Sequence, residues 1–173
     1  LQPGMAPWAV VLDPALTRHT PEWLWLSTGV RSLDHGIETL ASLRSHPVAD
    51  GAAETAIRLL AAGLRACKAD PGDLDARLRC QMGAWQSMLP LVGGVPMGAS
   101  HALSHAIGST HGVPHGYTSC VTLPAVLAWS AGHDGGRQPP ISAALGRIGE
   151  PPAIALGALL LELGLPTTLR EVG

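Results

Sequence analysis

The sequence contains no phenylalanine and one tyrosine, and charged residues make up only 14% of its 173 residues. The scarcity of aromatic residues argues against an aromatic-rich sheet, so the core must be built from Ala, Leu, Val and Ile with five Trp. Small aliphatic side chains favour helices that approach each other closely. The length suits one domain with a sizeable core. The low charge predicts that another domain or subunit covers part of the surface.

Several classes of protein are excluded by what is missing. No run of basic residues appears, so a nucleic acid partner is not expected. The longest apolar run, residues 153–165, contains Glu162 and is too short to span a bilayer, so no membrane partner is expected. The N-terminus has no basic region typical of a signal peptide. The cysteines Cys67, Cys80 and Cys120 fit neither a disulfide framework nor a CxxC site, which predicts reduced thiols in a cytoplasmic protein.

The pattern of caps and apolar spacing predicts an all-α fold, a helical bundle with a short N-terminal strand. The stretch WAVVLDP (8–14) is strand-like, and because one strand is not stable alone it either pairs with something outside this chain or lies as an extended lead-in. Thr20 and Pro21 are typical of a helix start. Ser27 or Thr28 could cap a further helix. Helical spacing then continues to the end of the chain, interrupted by loops such as GHDGGRQPP (132–140).

Four of the eight histidines lie within residues 98–117. His101 and His105 are one helical turn apart, so their rings share a face. Such pairs are common on surfaces, but the surrounding Ala, Leu and Ile residues predict a helix that is apolar nearly all round and therefore buried. Buried imidazoles need polar partners. His115 follows the Gly-Val-Pro break, and a tight turn can carry it back toward His101.

A second cluster lies upstream in GVRSLDHGIETL (29–40). Arg31 and His35 are four residues apart and share one helix face, while Asp34 and Glu38 share another. A histidine in such a helix is more often a core or capping residue than a ligand. Two apolar helices that each carry histidine nevertheless predict a shared site.

Three stretches resemble the C-terminal helical domain of the iron-containing (group III) alcohol dehydrogenases, a family with a dehydroquinate synthase-like helical domain that includes the maleylacetate reductases. They are GVRSLDHGIETL, MGASHALSHAIGSTHGVPHG and VVLDPALTRHTP. The resemblance implies that residues 1–15 form a strand leading in from an N-terminal nucleotide-binding domain. Residues 16–173 would be the helical domain on the metal and substrate side, and we expect it to stop short of the family's usual C-terminal end.

The resemblance also implies roles for four histidines. His35, His101 and His115 correspond to metal-ligand histidines, and neutral imidazoles suit Fe²⁺ or Zn²⁺. His105 corresponds to a non-ligand histidine near the nicotinamide, where it could relay a proton as a catalytic residue. The implied cofactors are NAD(P)H and such a metal ion. The implied partners are a small-molecule substrate, the nucleotide-binding domain in cis or in trans, and a second copy in a homodimer.

The sequence departs from the family pattern at two points. Arg31 stands where the family has an acidic metal ligand, and a guanidinium cannot ligate a cation. The maleylacetate reductase branch also tends to lack this acid and is regarded as independent of metal. Arg31 could therefore bind an anionic substrate, or it could pair with Asp34 or Glu38. The second departure is that no Gly-rich strand–helix turn for a pyrophosphate is present, since GHDGGRQPP follows no strand.

The leading functional hypothesis is the helical domain of a nicotinamide-dependent oxidoreductase, like a maleylacetate reductase or an iron-containing alcohol dehydrogenase. Its substrate would be an alcohol, a carbonyl compound or an unsaturated keto acid. We expect the chain to be inactive without the nucleotide-binding domain. One alternative is a non-catalytic relic or association domain. Another is a metal-binding helical domain without redox chemistry.

Overall fold

The computed structural model describes residues 8–173, which form an all-α bundle, so the predicted fold class is confirmed. None of the helices in this part of the chain is long and apolar enough to cross a membrane. The helices are α1 (Glu22–Ala41), α2 (Pro47–Ala69), α3 (Leu74–Ser87), α4 (Leu89–Val92), α5 (Ala99–His111), α6 (His115–Ser130), α7 (Pro139–Ala144) and α8 (Pro152–Leu163), with 3₁₀ turns at Leu16–His19 and Leu169–Glu171.

The predicted N-terminal strand is wrong for residues 8–13, which adopt no regular secondary structure. Trp8, Val10 and Val11 are exposed there. A strand needs a neighbour to accept its backbone hydrogen bonds, and no strand occurs within residues 8–173 to supply one. Residues 1–7 lie outside the described residues. A lead-in role for residues 1–15 remains a prediction.

Helix α1 is continuous, so the predicted second start at Ser27 or Thr28 is wrong. The hydroxyl groups of both residues instead donate hydrogen bonds back to the carbonyl of Leu24, at 3.4 and 2.7 Å. Hydroxyl side chains that bond the preceding turn in this way remain inside a helix. The helix begins after Pro21, close to the predicted start. One unbroken helix therefore carries both Arg31 and Glu38.

The apolar core is formed where α1 packs against α2 and where α6 and α8 pack together. Ile37 of α1, Ile57 of α2 and Leu123 of α6 are fully buried, as is Leu159 of α8. The crossing of α1 and α6 is very close at Gly116, where a Cβ atom would lie 2.5 Å from Ser27 Oγ. Only glycine allows this approach, which brings the start of α6 against α1.

Helix α5 reverses the expected burial. The sequence predicts a helix buried because it is apolar nearly all round, but the residues it buries are Ser100, His101 and Ser104. Leu103 is 48% exposed, and Ala102 and Ala106 are also exposed. The prediction fails because the side of α5 that faces the protein meets carboxylates on α1, which require polar partners.

Candidate active site

Four ionisable residues of α1 lie at the site, and three of them are buried. Asp34 is fully buried, while Arg31 and Glu38 are at most 8% exposed. His35 lies between them and is half-buried. Burial of so many charged groups on one helix requires partners on the neighbouring helices, and α5 and α6 supply them.

Glu38 of α1 caps the N-terminus of α5. Its carboxylate accepts hydrogen bonds from the backbone N–H of Gly98 at 2.8 Å and of Ser100 at 2.7 Å. Helix α5 has no capping side chain of its own. A Cβ atom on Gly98 would lie 2.7 Å from Glu38 Oε1, so this contact also depends on glycine. Burial alone would raise the pKa of Glu38, but hydrogen bonds from His101, Gly98 and Ser100 lower it.

The same carboxylate orients His101. Nδ1 of His101 lies 2.7 Å from Glu38 Oε2 and 3.6 Å from Asp34 Oδ1. Burial lowers the pKa of His101, but Asp34 and Glu38 outweigh burial and raise the pKa to about 9. Nε2 of His101 is buried and has no hydrogen-bond partner among the described residues. The carboxylates at Nδ1 therefore fix the His101 ring, and Nε2 is left for a ligand or substrate atom.

Arg31 is held in a buried polar network with α5 and α6. Its Nη1 donates to Ser119 Oγ at 2.9 Å and lies 3.4 Å from Asp34 Oδ2. Asp34 Oδ2 also accepts hydrogen bonds from Ser119 at 2.8 Å and Ser100 at 3.0 Å. The ion pair with Asp34 that the sequence suggested is therefore present. Both of these hydrogen bonds leave from Nη1, so Nη2 and Nε are not needed to hold the side chain.

The remaining histidines form two ring pairs. The centroids of His35 and His101 are 4.8 Å apart, and those of His105 and His115 are 5.0 Å apart. Nδ1 of His35 lies 3.4 Å from Ser87 Oγ. His105 and His115 are exposed and lie at the rim of the site, and His111 at the end of α5 is exposed as well. The four histidines expected to share a site thus comprise the pair of half-buried His35 and buried His101 and the exposed pair of His105 and His115.

Two of these histidines have lowered pKa values. Burial lowers the pKa of His35 most, and together with the charges of His101 and Arg31 it brings the pKa to about 4. Burial and then Arg31 also lower the pKa of His115. Because Arg31 affects both groups, its charge reaches the space between them. The site therefore presents a fixed guanidinium cation beside two imidazoles, His35 and His115, whose pKa values are lowered.

The iron of the family does not fit this arrangement of donors. Among the described residues, the ligand atoms that lie within 4.8 Å of one another belong to Asp34, Glu38 and His101, without His35 or His115. The two carboxylates already accept hydrogen bonds from α5 and α6. The resemblance assigns the acidic ligand to the position of Arg31, and an arginine cation there would repel a metal ion. The roles predicted for His35, His101 and His115 as ligands remain untested.

Sequence reasoning missed the hydroxyl groups and the cap that organise the site. Ser100 and Ser104 of α5 both lie 3.0 Å from Thr122 Oγ1 of α6, and Ser100 and Ser119 bind Asp34. The spacing of two of these serines could have revealed the polar face of α5. Ser100 and Ser104 are four residues apart on a helix otherwise rich in Ala and Leu, so they share one face. The lack of a capping residue before Ala99 was a second signal that a group from elsewhere caps α5.

Comparison with known proteins identifies the family of this chain. Residues 25–173 match the model of the Fe-containing alcohol dehydrogenase family, C-terminal domain, and the chain belongs to that family. It is 33% identical over 167 residues to the maleylacetate reductase of Sphingobium indicum and 34% identical over 167 residues to that of Burkholderia cepacia. Each alignment covers 96% of this chain and 47% of the relative, so the chain spans about half the length of these relatives.

Solved structures give the same result for the fold. The maleylacetate reductase of Rhizobium sp. strain MTP-10005 superposes with a TM-score of 0.85 at 27% identity, covering 93% of this chain and 45% of that one. An iron-containing alcohol dehydrogenase from Corynebacterium glutamicum superposes with a TM-score of 0.84 at 28% identity, covering 93% and 44%. The resemblance found in the sequence is confirmed, and the family's members include oxidoreductases.

Proposed function

We propose that this chain is the substrate-side domain of a nicotinamide-dependent reductase that acts on an anionic, unsaturated keto acid of the maleylacetate type. The observation that carries the proposal is the buried Arg31 guanidinium, held through Nη1 by Ser119 and Asp34. The relatives in Sphingobium indicum and Burkholderia cepacia are maleylacetate reductases, which supports the same substrate class.

Arg31 has the features of an anion-binding residue. Its hydrogen bonds to Ser119 and Asp34 fix one edge of the guanidinium, and the remaining N–H groups can pair with a substrate carboxylate in two parallel hydrogen bonds. Low exposure strengthens such a pair, because water competes poorly for either partner. An acid at this position would favour a metal ion, whereas arginine favours a negatively charged substrate.

His105 is the residue we propose as proton donor. It is exposed at the rim, and its ring lies beside that of His115. A nicotinamide cofactor, which an N-terminal domain would largely hold, would supply a hydride to one carbon of the substrate double bond. His105 delivers a proton to the other carbon, while Arg31 stabilises the negative charge on the substrate.

The supporting groups on α1 keep the site in shape. Glu38 and Asp34 orient His101, and Glu38 holds the first turn of α5 against α1. Since His105 is one turn along the same helix from His101, the Glu38 cap also sets the position of the proposed proton donor. His101 Nε2 is then available to bind an oxygen atom of the substrate.

The test is substrate kinetics in the full-length protein that contains this chain. Replacing Arg31 with Met should raise KM for maleylacetate about tenfold to a hundredfold, since hydrogen bonds to charged groups contribute about 1.5–3 kcal/mol. Arg31→Lys should restore part of the affinity. The matched control is Arg44→Met, which removes an exposed arginine from the α1–α2 connection and should leave KM unchanged.

An uncharged aldehyde serves as the second substrate. If Arg31 binds a carboxylate, the KM for the aldehyde should change little in Arg31→Met. Equal losses with the charged and the uncharged substrate would contradict the proposal and assign Arg31 a purely structural role through Asp34.

A further inference from the structure

Two cysteines outside the proposed active site face the same contact between α2 and α3. Helices α2 and α3 approach closely at Gly63, where a Cβ atom would lie 2.7 Å from Cys80 Sγ. Cys67 is one helical turn beyond Gly63 on α2, so its side chain shares the face that meets α3. Both cysteines are free and buried, at 2% and 4% exposed. The two thiols therefore lie together in one helix contact.

Cys67 also lines a cavity. This cavity has a volume of about 280 Å³ and is bounded by Arg18, Glu22, Trp25 and Arg77 as well as Cys67. A space of this size admits small polar molecules, because a water molecule occupies only about 30 Å³ of liquid. Cys67 therefore forms part of the cavity wall although the residue is buried in the protein.

The groups around Cys67 favour a thiolate. Arg77 lies over the Trp25 ring, 4.8 Å from its centroid, and is fixed by hydrogen bonds of 2.8 Å to the carbonyls of Pro71 and Thr17. Trp25 Nε1 is buried and makes no regular hydrogen bond within the described residues. A buried donor without an acceptor is costly, and a thiolate on Cys67 would supply the acceptor.

The ionisation of the pair agrees with this geometry. Hydrogen bonding from Cys80 lowers the pKa of Cys67 most, burial opposes it, and Trp25 and Arg77 lower it further, giving about 7. The pKa of Cys80 is raised by its contact with Cys67 and by burial. One member of the pair is therefore the nucleophile at neutral pH and the other keeps its proton.

We propose that Cys67 and Cys80 are a peroxide-reactive thiol pair, with Cys67 as the attacking thiolate and Cys80 as the resolving thiol. The Cys67 thiolate attacks one oxygen of hydrogen peroxide, the O–O bond breaks, and Cys67 becomes a sulfenic acid as hydroxide leaves. The Cys80 sulfur then attacks the sulfenic sulfur, an S–S bond forms, and water leaves with the Cys80 proton. Two thiols are oxidised and one peroxide is reduced to water.

Cys120 provides an internal contrast. It is fully buried between α1 and α6, and its thiol donates to the carbonyl of Gly116 at 3.3 Å. Burial raises the pKa of Cys120 to about 12. No second cysteine accompanies it, so we expect it to remain a thiol under mild oxidation.

The test is peptide mapping of the folded chain after treatment with equimolar hydrogen peroxide and alkylation of the remaining thiols. Trypsin separates Cys67 from Cys80 at Lys68 and Arg79, and cleavage at Met82 separates Cys80 from Cys120. We expect a disulfide-linked Cys67–Cys80 peptide, lighter by two hydrogen atoms than the two thiol peptides. Cys67 should be modified at least about tenfold faster than Cys120.

Three variants complete the experiment. In Cys80→Ala, a Cys67 sulfenic acid should accumulate and be trapped by dimedone, whereas in Cys67→Ser, Cys80 should stay reduced. Cys120→Ser is the matched control and should behave like the wild type. The wild-type map needs no substitution, so the test survives a variant that fails to fold. The proposal is overturned if the linked peptide is absent from the folded protein, appears only after unfolding in urea, or if Cys120 reacts as fast as Cys67.

Discussion

The two long sides of α1 are buried against opposite kinds of surface. One side places Leu33 and Ile37 in the apolar core with α2, and the other places Asp34 and Glu38 against α5 and α6. Both sides exclude water to a similar degree. The apolar side gains free energy from burial at about 25 cal/mol per Å². On the polar side, hydrogen bonds and ion pairs must offset the cost of desolvation. Their geometry is therefore well defined, and the loss of one hydrogen-bond partner is costly.

This difference separates stability from chemistry within one helix. The apolar side can tolerate a change of shape at a moderate cost, because aliphatic neighbours relax around it. The polar side of α1 carries Arg31, Asp34 and Glu38. It keeps these groups in place because each has a defined partner on α1, α5 or α6. The predictions below test whether the two sides respond differently.

The largest effect is expected when the buried ion pair loses one member. Asp34→Asn leaves the Arg31 cation buried without its counter-charge and should lower the free energy of unfolding by about 3–5 kcal/mol. Denaturant unfolding measures this, and adding Arg31→Met should recover part of the loss. The exposed Asp75→Asn should cost no more than about 0.5 kcal/mol. Equal losses at the two positions would mean that the buried network contributes nothing specific.

The apolar core to which this side of α1 belongs should respond to a cavity. Leu159→Ala, at a fully buried position of α8, should lower the free energy of unfolding by about 2–5 kcal/mol. Leu161, two residues along, is 71% exposed, so Leu161→Ala should change it by less than about 0.5 kcal/mol. In the full-length enzyme, Leu159→Ala should leave KM for the substrate unchanged, which is where it should differ from Arg31→Met.

The pH dependence of stability should come from the polar side. The folded pKa of His101, about 9, lies above its ordinary value of 6.5, so its contribution is complete below pH 6.5 and is lost as the pH rises toward 9. The folded pKa of His35, about 4, lies below 6.5, so its contribution is lost as the pH falls from 6.5 toward 4. Each limb should amount to at most about 3.4 kcal/mol, since one pKa unit corresponds to about 1.36 kcal/mol.

Urea unfolding at pH 4–9 measures both limbs. His35→Asn should flatten the acid limb, and Glu38→Gln should reduce the alkaline limb because it removes a charge that favours protonated His101. His19→Asn, at an exposed position, is the control and should leave both limbs intact. An unchanged acid limb in His35→Asn would be evidence against a neutral, buried His35.

The smallest effect concerns the close contact between α6 and α1 at Gly116. Gly116→Ala would place a Cβ atom 2.5 Å from Ser27 Oγ and should cost about 1–3 kcal/mol through overpacking. Gly157→Ala on α8, where nothing lies within 4 Å of the new Cβ, should be neutral or stabilise by up to about 1 kcal/mol. The midpoint of thermal unfolding should therefore fall for Gly116→Ala, and it should stay unchanged or rise for Gly157→Ala.

The features that follow from helical periodicity could be predicted from the sequence. The features that depend on contacts between residues far apart in the chain could not. Helical spacing and caps were sufficient for the all-α fold and for the neighbouring positions of Arg31 and His35. The burial of α5 was predicted wrongly, because composition cannot reveal that the polar face of α5 contacts Glu38 and Asp34 of α1. The strand at residues 8–13 was also predicted wrongly, since β-branched residues specify a strand only where a neighbouring strand is available.

The central claim is that Arg31 turns a metal site of the family into a site for anions, and metal analysis of the protein purified without chelators tests it most directly. We expect far less than one Fe or Zn per wild-type chain. Arg31→Asp should bind Zn²⁺ at least about a hundredfold more tightly, because an anionic oxygen ligand replaces a repelling cation. Stoichiometric Fe or Zn in the wild type, lost in His101→Ala, would contradict the claim and assign the site to metal-dependent chemistry.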